Sequence, residues 1–224
     1  KEYRRQRQMC IRDRYVDCGG EGSSTLALKA ESGEVVWKSG GDGAGYAMPC
    51  IFELGGRQTL VMFKAEHVVG NDPKTGEELW RFPWKTEYNV NAATPLQVGA
   101  DQILITSGYQ KGAALLSVKG GKVSTVWVNQ KLRAHINSPV LVNGAIFGID
   151  GNTGGGNLVC LDPATGEQKW IEKSVKGGSL IAAGRRLWIV SEKGEVVLAE
   201  ADPAKFQALG RQSVMTRRTW AQPV

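Results

Sequence analysis

Short apolar segments separated by Gly- and Pro-containing turns recur along the chain. Within them apolar side chains return at every second position, as at Leu158 and Cys160 and again at Val196 and Leu198. A period of two residues is typical of a β-strand with one buried face. The chain lacks the 3.6-residue apolar period of an amphipathic helix. The pattern therefore predicts an all-β protein built from many short strands.

A sequence motif of turn residues followed by tryptophan, called the phrase below, is repeated through the sequence. Four copies occupy residues 26–37, 68–80, 115–127 and 157–170. A fifth, degenerate copy at 196–203 lacks the Gly and the Trp. The four tryptophans are Trp37, Trp80, Trp127 and Trp170. They are separated by 43, 47 and 43 residues. Self-similarity at a fixed period of this length indicates a repeat architecture.

The turn itself is clearest in two copies, which share Asp-Pro-x-Thr-Gly. Its residues are Asp72, Thr75 and Gly76 in one copy and Asp162, Thr165 and Gly166 in the other. The Asp side chain accepts hydrogen bonds from amides just ahead, and Pro fixes φ. Gly tolerates the positive φ that closes the turn. Each phrase is thus a β-hairpin whose Trp offers a flat ring to a neighbouring unit.

Two further apolar strands precede each phrase, so every period contains about four strands, the composition of one propeller blade. The predicted fold is a β-propeller of four-stranded antiparallel blades in an incomplete ring. Four full blades are expected at 46–84, 91–129, 135–173 and 177–212, with partial blades at 24–38 and 218–224. Either the two partial ends meet to complete a fifth blade, or a larger ring is cut at both sides.

The phrase resembles the repeat of pyrroloquinoline-quinone-type β-propellers, which runs roughly Ala-x-Asp-x-x-Thr-Gly-x-x-x-Trp. The resemblance spans about 24–224 and is specific in 68–80 and 157–170. That family includes quinoprotein alcohol dehydrogenases, a non-catalytic outer-membrane assembly lipoprotein, and secreted or periplasmic proteins of unassigned role. The resemblance implies Trp stacking on the next blade and a periplasmic or secreted location, but it does not by itself imply a cofactor.

The distribution of charge argues against a nucleic-acid partner. The net charge is +6, but residues 1–15 and 203–224 each contribute +4, which leaves 16–202 at −2. Nucleic-acid-binding proteins instead carry a basic stripe across the surface of the folded domain. Residues 1–15 match no blade and are expected to be a non-native or disordered arm. The chain also lacks the roughly 18 consecutive apolar residues of a membrane span.

The cysteines do not match a quinone enzyme. Those enzymes use adjacent cysteines, calcium ligands and an Asp base, whereas Cys10, Cys18, Cys50 and Cys160 are isolated. We therefore predict no catalytic residue, no cofactor and no metal site. Cys160 is expected to be a small core residue. Cys18 and Cys50 either form a disulfide or remain free, because sequence cannot fix their geometry.

Polar and aromatic residues precede the innermost strand of several blades. Tyr46, Asn91, His135 and Asn137 lie in such lead-in segments, which ring one mouth of a propeller channel. They either form a ligand site, since pockets favour convergent polar groups, or cap strands and bond the neighbouring backbone.

Three functions remain open at this point. The first is a non-catalytic scaffold that presents its loops and channel mouth to a protein or carbohydrate partner. The second is a fragment of a quinone-dependent dehydrogenase whose cofactor residues lie in other blades. The third is an unrelated enzyme that uses His135 as a base.

Overall fold

Nineteen β-strands make up the computed structural model, which describes residues 13–220 and 223. This part of the chain contains no α-helix. The strands are β1 (Asp13–Asp17), β2 (Thr25–Lys29), β3 (Val35–Ser39), β4 (Cys50–Leu54), β5 (Arg57–Phe63), β6 (His67–Asn71), β7 (Glu78–Pro83), β8 (Leu96–Gly99), β9 (Gln102–Ser107), β10 (Gly112–Lys119), β11 (Lys122–Asn129), β12 (Val140–Val142), β13 (Ala145–Asp150), β14 (Asn157–Leu161), β15 (Gln168–Lys176), β16 (Ser179–Ala183), β17 (Arg186–Val190), β18 (Glu195–Glu200) and β19 (Gln207–Ser213).

Consecutive strands pair antiparallel and form five separate sheets. We call them blade 1 (β1–β3), blade 2 (β4–β7), blade 3 (β8–β11), blade 4 (β12–β15) and blade 5 (β16–β19). Blade 1 has three strands and each of the others has four. This up-and-down order is that of propeller blades. The predicted all-β propeller with an incomplete ring is confirmed.

Blade 1 differs from the expectation at its first strand. Residues 13–15 were assigned to an arm outside the fold, but they belong to β1, where Tyr15 pairs with Ala27. The partial blade therefore has three strands rather than two. The short strand β1 is difficult to recognise from the sequence because it has little apolar character. Its residues alternate between exposed and half-buried, and they include two Asp and one Arg. Residues 1–12 lie outside the described residues, and 218–220 form no strand.

Apolar layers between consecutive blades form the core. One layer joins blades 2 and 3 through Val61, Phe63, Ile103 and Leu116, among others. Equivalent layers join blade 3 to blade 4 and blade 4 to blade 5. Each blade thus buries its faces only against its neighbours, which explains why a blade-length period governs the sequence.

The two Asp-Pro-x-Thr-Gly turns have the same hydrogen-bond pattern. Asp72 Oδ1 accepts from the amides of Lys74 and Thr75 at 2.8 and 3.2 Å. Asp162 Oδ1 accepts from the corresponding amides of blade 4 at 2.9 and 3.3 Å. Gly76 and Gly166 adopt φ values of 78° and 72°. Identical residues therefore give identical turns 90 residues apart in the chain.

Three of the four repeat tryptophans bind the turn of the following blade. Their indole nitrogens donate to backbone oxygens as follows: Trp37 to Pro73 at 3.2 Å, Trp127 to Pro163 at 3.0 Å and Trp170 to Asp202 at 3.1 Å. Trp80 makes no such bond and lies over Gly70 of its own blade. The tryptophan thus ties one blade to the next at three of the four junctions.

Candidate functional site

Asn91 holds the lead-in segment of blade 3 against blade 2. Its side chain is fully buried, and its Nδ2 donates to the carbonyls of Lys64, Ala65 and Trp84 at 2.9–3.2 Å. Its Oδ1 accepts from Ser107 Oγ at 2.6 Å. All of these partners belong to the chain itself. Asn91 therefore acts here as a structural cap between blades.

His135 and Asn137 lie together between blades 4 and 5, away from Asn91. They border a cavity of about 10 Å³, which is room for about one water molecule. Asn137 Nδ2 donates to the carbonyl of Gly178 in the next blade. The amide of Thr153 donates to His135 Nδ1 at 3.3 Å, which places the proton of the neutral ring on Nε2. Burial lowers the pKa of His135, in agreement with a neutral imidazole.

The same cavity contains a carboxylate that the sequence analysis missed. Glu192 is 6% exposed and accepts from the amide of Gly154 at 2.8 and 3.0 Å. Arg218 Nε lies 3.7 Å from its Oε2. The available sequence signal was its place near the carboxyl end of a blade's second strand, two residues after β17. Lys64 directly follows β5, and Ser107 and Asp150 are the last residues of β9 and β13. These positions reach the mouth because second strands end there.

The glycine-rich loop after β13 is fixed by an ion pair. Arg133 donates to both carboxylate oxygens of Asp150, through Nε at 2.9 Å and a terminal nitrogen at 2.7 Å. The Arg133 amide adds a third bond at 2.8 Å. Asp150 raises the pKa of Arg133. In this bidentate pairing both carboxylate oxygens are bound by the guanidinium group. Asp150 therefore holds the loop against the lead-in segment of blade 4.

Aromatic side chains form a row across the mouth of blades 2 to 4. The ring centroids of Tyr88 and Tyr109 are 4.9 Å apart, and those of Tyr109 and His135 are 4.7 Å apart, both edge to face. The Tyr46 backbone lies against the lead-in segment of blade 3, because its amide donates to the carbonyl of Asn91 at 2.9 Å. Tyr46 and Tyr88 are 72% and 62% exposed. We call Tyr88, Tyr109 and His135 the aromatic row.

The predicted set is thus divided by the structure. Asn91 and Asn137 donate to backbone carbonyls, and His135 belongs to the aromatic row. Tyr46 is exposed and makes no ring contact within that row. Sequence reasoning missed Tyr88 and Tyr109. Tyr88 lies in the lead-in segment of blade 3, whereas Tyr109 joins the row because β9 and β10 are connected by a turn at the mouth.

The other predicted features are placed as follows. Cys18 is a free thiol and therefore does not pair with Cys50, and Cys160 is a buried free thiol as expected of a core residue. Cys10 lies outside the described residues. Within residues 13–220, no three His, Cys, Asp or Glu side chains come together as a metal site would require. The same part of the chain has no helix long and apolar enough to cross a membrane.

The blades follow one another as antiparallel meanders, and at three junctions a tryptophan of one blade binds the turn of the next. These two features define a propeller of the pyrroloquinoline-quinone type. The family described as outer membrane protein assembly factor BamB matches residues 7–172. The chain belongs to this family. The match includes residues 7–15, which the sequence analysis placed outside the repeat. No curated protein sequence matches the chain.

Solved structures share the fold at low sequence identity. BamB from Moraxella catarrhalis is 16% identical with a TM-score of 0.51, over 91% of this chain and 74% of that one. Quinohemoprotein alcohol dehydrogenase from Comamonas testosteroni is 13% identical with a TM-score of 0.61, over 92% and 42%. The dehydrogenase ADHIIG from Pseudomonas putida HK5 is 13% identical with a TM-score of 0.57, over 78% and 35%.

The dehydrogenases of this propeller type imply a bound pyrroloquinoline quinone. The residues described at the mouth do not form a site for it. The cavity beside His135 admits about one water, and both amide groups of the predicted set are engaged by the chain's own backbone.

Proposed function

We propose that this chain is a non-catalytic propeller of the cell envelope that binds a protein partner through its aromatic row. One observation carries the proposal: aromatic rings are exposed at the mouth, while the polar side chains beneath them are engaged by the chain itself. Tyr46 and Tyr88 are more than half exposed, whereas Asn91 is fully buried and fully bonded.

The composition of this surface suits a protein interface. Tyrosine and methionine are enriched at the centre of protein–protein interfaces, and Met48, two residues after Tyr46 in the chain, is 67% exposed. A rigid aromatic group loses little conformational entropy on binding. The family's description as an outer membrane protein assembly factor supports a protein partner over a carbohydrate, and it supports a periplasmic location.

Site-specific photo-crosslinking tests this proposal. A photoreactive phenylalanine analogue replaces Tyr88 in cells of the source organism, and a matched variant carries it at Leu209, an exposed apolar position on outer strand β19. We expect the Tyr88 variant to form an adduct with a protein that assembles outer-membrane proteins, and the Leu209 variant to lack it. Identical adducts at both positions, or none at Tyr88, would refute the aromatic row as the interface.

The quinone-dependent dehydrogenase remains the second candidate, favoured by the TM-score of 0.61 to a solved dehydrogenase. Equilibrium dialysis of the purified chain against pyrroloquinoline quinone, with and without calcium, separates the two functions. We expect neither retention of the quinone nor oxidation of alcohols. Stoichiometric, calcium-dependent retention would place the dehydrogenase first.

A further inference from the structure

The turn that joins β9 to β10 has an unfavourable backbone conformation. It covers residues 108–111 and is closed by a hydrogen bond from the Lys111 amide to the Gly108 carbonyl at 3.0 Å. Its two central residues, Tyr109 and Gln110, have φ values of 51° and 59°. Tight turns with positive φ at both central positions favour Asn and Gly, because other L-residues bring Cβ too close to the following carbonyl oxygen. Tyr and Gln are therefore poorly suited to the places they occupy.

The corresponding turns of the next two blades use glycine in the left-handed region. Positive φ values occur at three glycines of the 151–156 loop after β13 and at Gly194 after β17. Among the described residues, four that are not glycine have positive φ. Two of them are Asn89 and Asn143, and Asn tolerates this conformation. The other two are the central pair of the blade 3 turn, and strained backbone of this kind clusters at functional sites.

Neighbouring segments hold the blade 3 turn in this conformation. The Tyr109 amide donates to Asn152 Oδ1 in the loop after β13 at 2.9 Å. Arg133 donates to Gln110 Oε1, and Gln130 Nε2 donates to the Gln110 carbonyl, each at 2.9 Å. Hydrogen bonds from outside the turn thus offset the cost of the left-handed backbone and fix the turn in one orientation.

The strained turn places the Tyr109 ring in the middle of the aromatic row. This ring meets Tyr88 on one side and His135 on the other, with centroids 4.9 and 4.7 Å away. A ring held in advance loses little entropy when a partner binds. The residues that contribute most to binding cluster near the centre of an interface.

We propose that Tyr109 is the anchor residue of the partner interface, and that the turn keeps its left-handed backbone to hold this ring in place. The inference rests on the proposed function and identifies the residue on which partner binding chiefly depends. A turn that served only to connect β9 to β10 would be more stable with Asn and Gly at its centre. Two substitutions therefore separate the strain of the backbone from the role of the ring.

Gln110→Gly relieves strain and keeps the Tyr109 ring. We expect its melting temperature to rise by about 2–4 °C, and the adduct formed by a photoreactive analogue at Tyr88 to persist at the parent's yield. The matched control is Asn89→Gly, because Asn already tolerates the φ of 55° at that position. Its melting temperature should stay within about 2 °C of the parent's value, and its adduct yield should not change.

Tyr109→Asn suits the turn but removes the ring. We expect the adduct from the analogue at Tyr88 to decrease about tenfold or more per mole of chain. Tyr109→Phe, which keeps the ring, should retain the adduct.

The outcomes distinguish this inference from the function on which it rests. An adduct that persists in Tyr109→Asn at the parent's yield would overturn Tyr109 as the anchor and leave the aromatic row as the interface. A parent chain without any adduct would overturn both. A lower melting temperature for Gln110→Gly would show that the turn is not strained and would overturn the inference even where Tyr109→Asn fails to fold.

Discussion

Lys64 Nζ of blade 2 lies 2.8 Å from Asp17 Oδ1 of blade 1, and the two side chains are 1% and 9% exposed. The ammonium also donates to the carbonyl of Ser24 at 2.7 Å, and Asp17 Oδ2 accepts from the amide of Gly45 at 2.9 Å. A buried ion pair, with further hydrogen bonds from each member to the backbone, thus joins the first two blades.

Removing one member of this pair should be costly. Lys64→Met leaves the Asp17 carboxylate buried without its partner, and breaking such a pair costs about 3–5 kcal/mol. Urea unfolding of Lys64→Met, Asp17→Leu and the double variant forms a double-mutant cycle. We expect the double variant to lose much less than the sum, because replacing both charges with apolar groups is often close to neutral. Additive losses would show that the two side chains act independently.

Asp162→Ala should destabilise the chain by about 1 kcal/mol, the usual contribution of such a hydrogen bond. The substitution deprives the amides of Ala164 and Thr165 of their acceptor. Glu167→Gln in the same turn is the control, because Glu167 enters the turn through its backbone amide; its effect should stay within about 0.5 kcal/mol. Equal unfolding midpoints for Asp162→Ala and the parent would contradict the role of this carboxylate.

The stabilising effect of the turn aspartates should disappear in acid. A hydrogen bond from Arg57, followed by one from the Lys74 amide, lowers the pKa of Asp72. Bonds from Lys169 and the Ala164 amide lower the pKa of Asp162. A depressed folded-state pKa gives stability above the unfolded value of about 3.9 that is lost as pH falls below it. The parent and the double variant Asp72→Ala/Asp162→Ala should therefore differ most in unfolding free energy at pH 7. This difference should decrease below about pH 4. A constant difference down to pH 2 would exclude the ionised carboxylates as its source.

Gly70 is required by the position of Trp80. A Cβ at residue 70 would lie 2.2 Å from the indole ring, so Gly70→Ala should cost about 1–3 kcal/mol by overpacking. Gly210→Ala is the control, since a Cβ there meets nothing within 4 Å. It should be neutral or slightly stabilising in thermal unfolding. Equal melting temperatures for the two variants would contradict the observed Trp80 packing.

The cysteines should differ sharply in reactivity. Cys18 is exposed, whereas Cys160 is buried and its pKa is raised to about 12 by burial. The thiolate is the reactive form, so iodoacetamide at pH 8 should modify Cys18 and spare Cys160, as read by peptide mass spectrometry. Labelling in guanidinium chloride, which should modify both, is the control. Rapid native alkylation of Cys160 would show that the layer between blades 4 and 5 opens readily.

The repeat made most of the fold predictable. A strand period of two, turns with defined chemistry and tryptophans at near-constant spacing are local features, and each blade packs only on its neighbours. The first strand was the exception. With two Asp and one Arg among its five residues, it shows too little apolar character to be recognised alone, and it is defined by its pairing with β2.

The candidate site was less predictable because it depends on contacts between blades. Spacing alone identified Tyr46, Asn91, His135 and Asn137 as lead-in residues, but not which of them the chain itself engages. Glu192 and Tyr109 lie in turns after second strands, so only the closure of the blades brings them beside His135.

The sequence by itself determined the all-β blades, the turns of Asp72 and Asp162 and the positions of the repeat tryptophans, since each follows from residues close together in the chain. The tertiary structure alone decided that Asn91 is a buried cap, that the aromatic rings form a row and that Trp80 lacks an acceptor. Those properties depend on atoms tens of residues apart, whose distances are set by how one blade packs on the next.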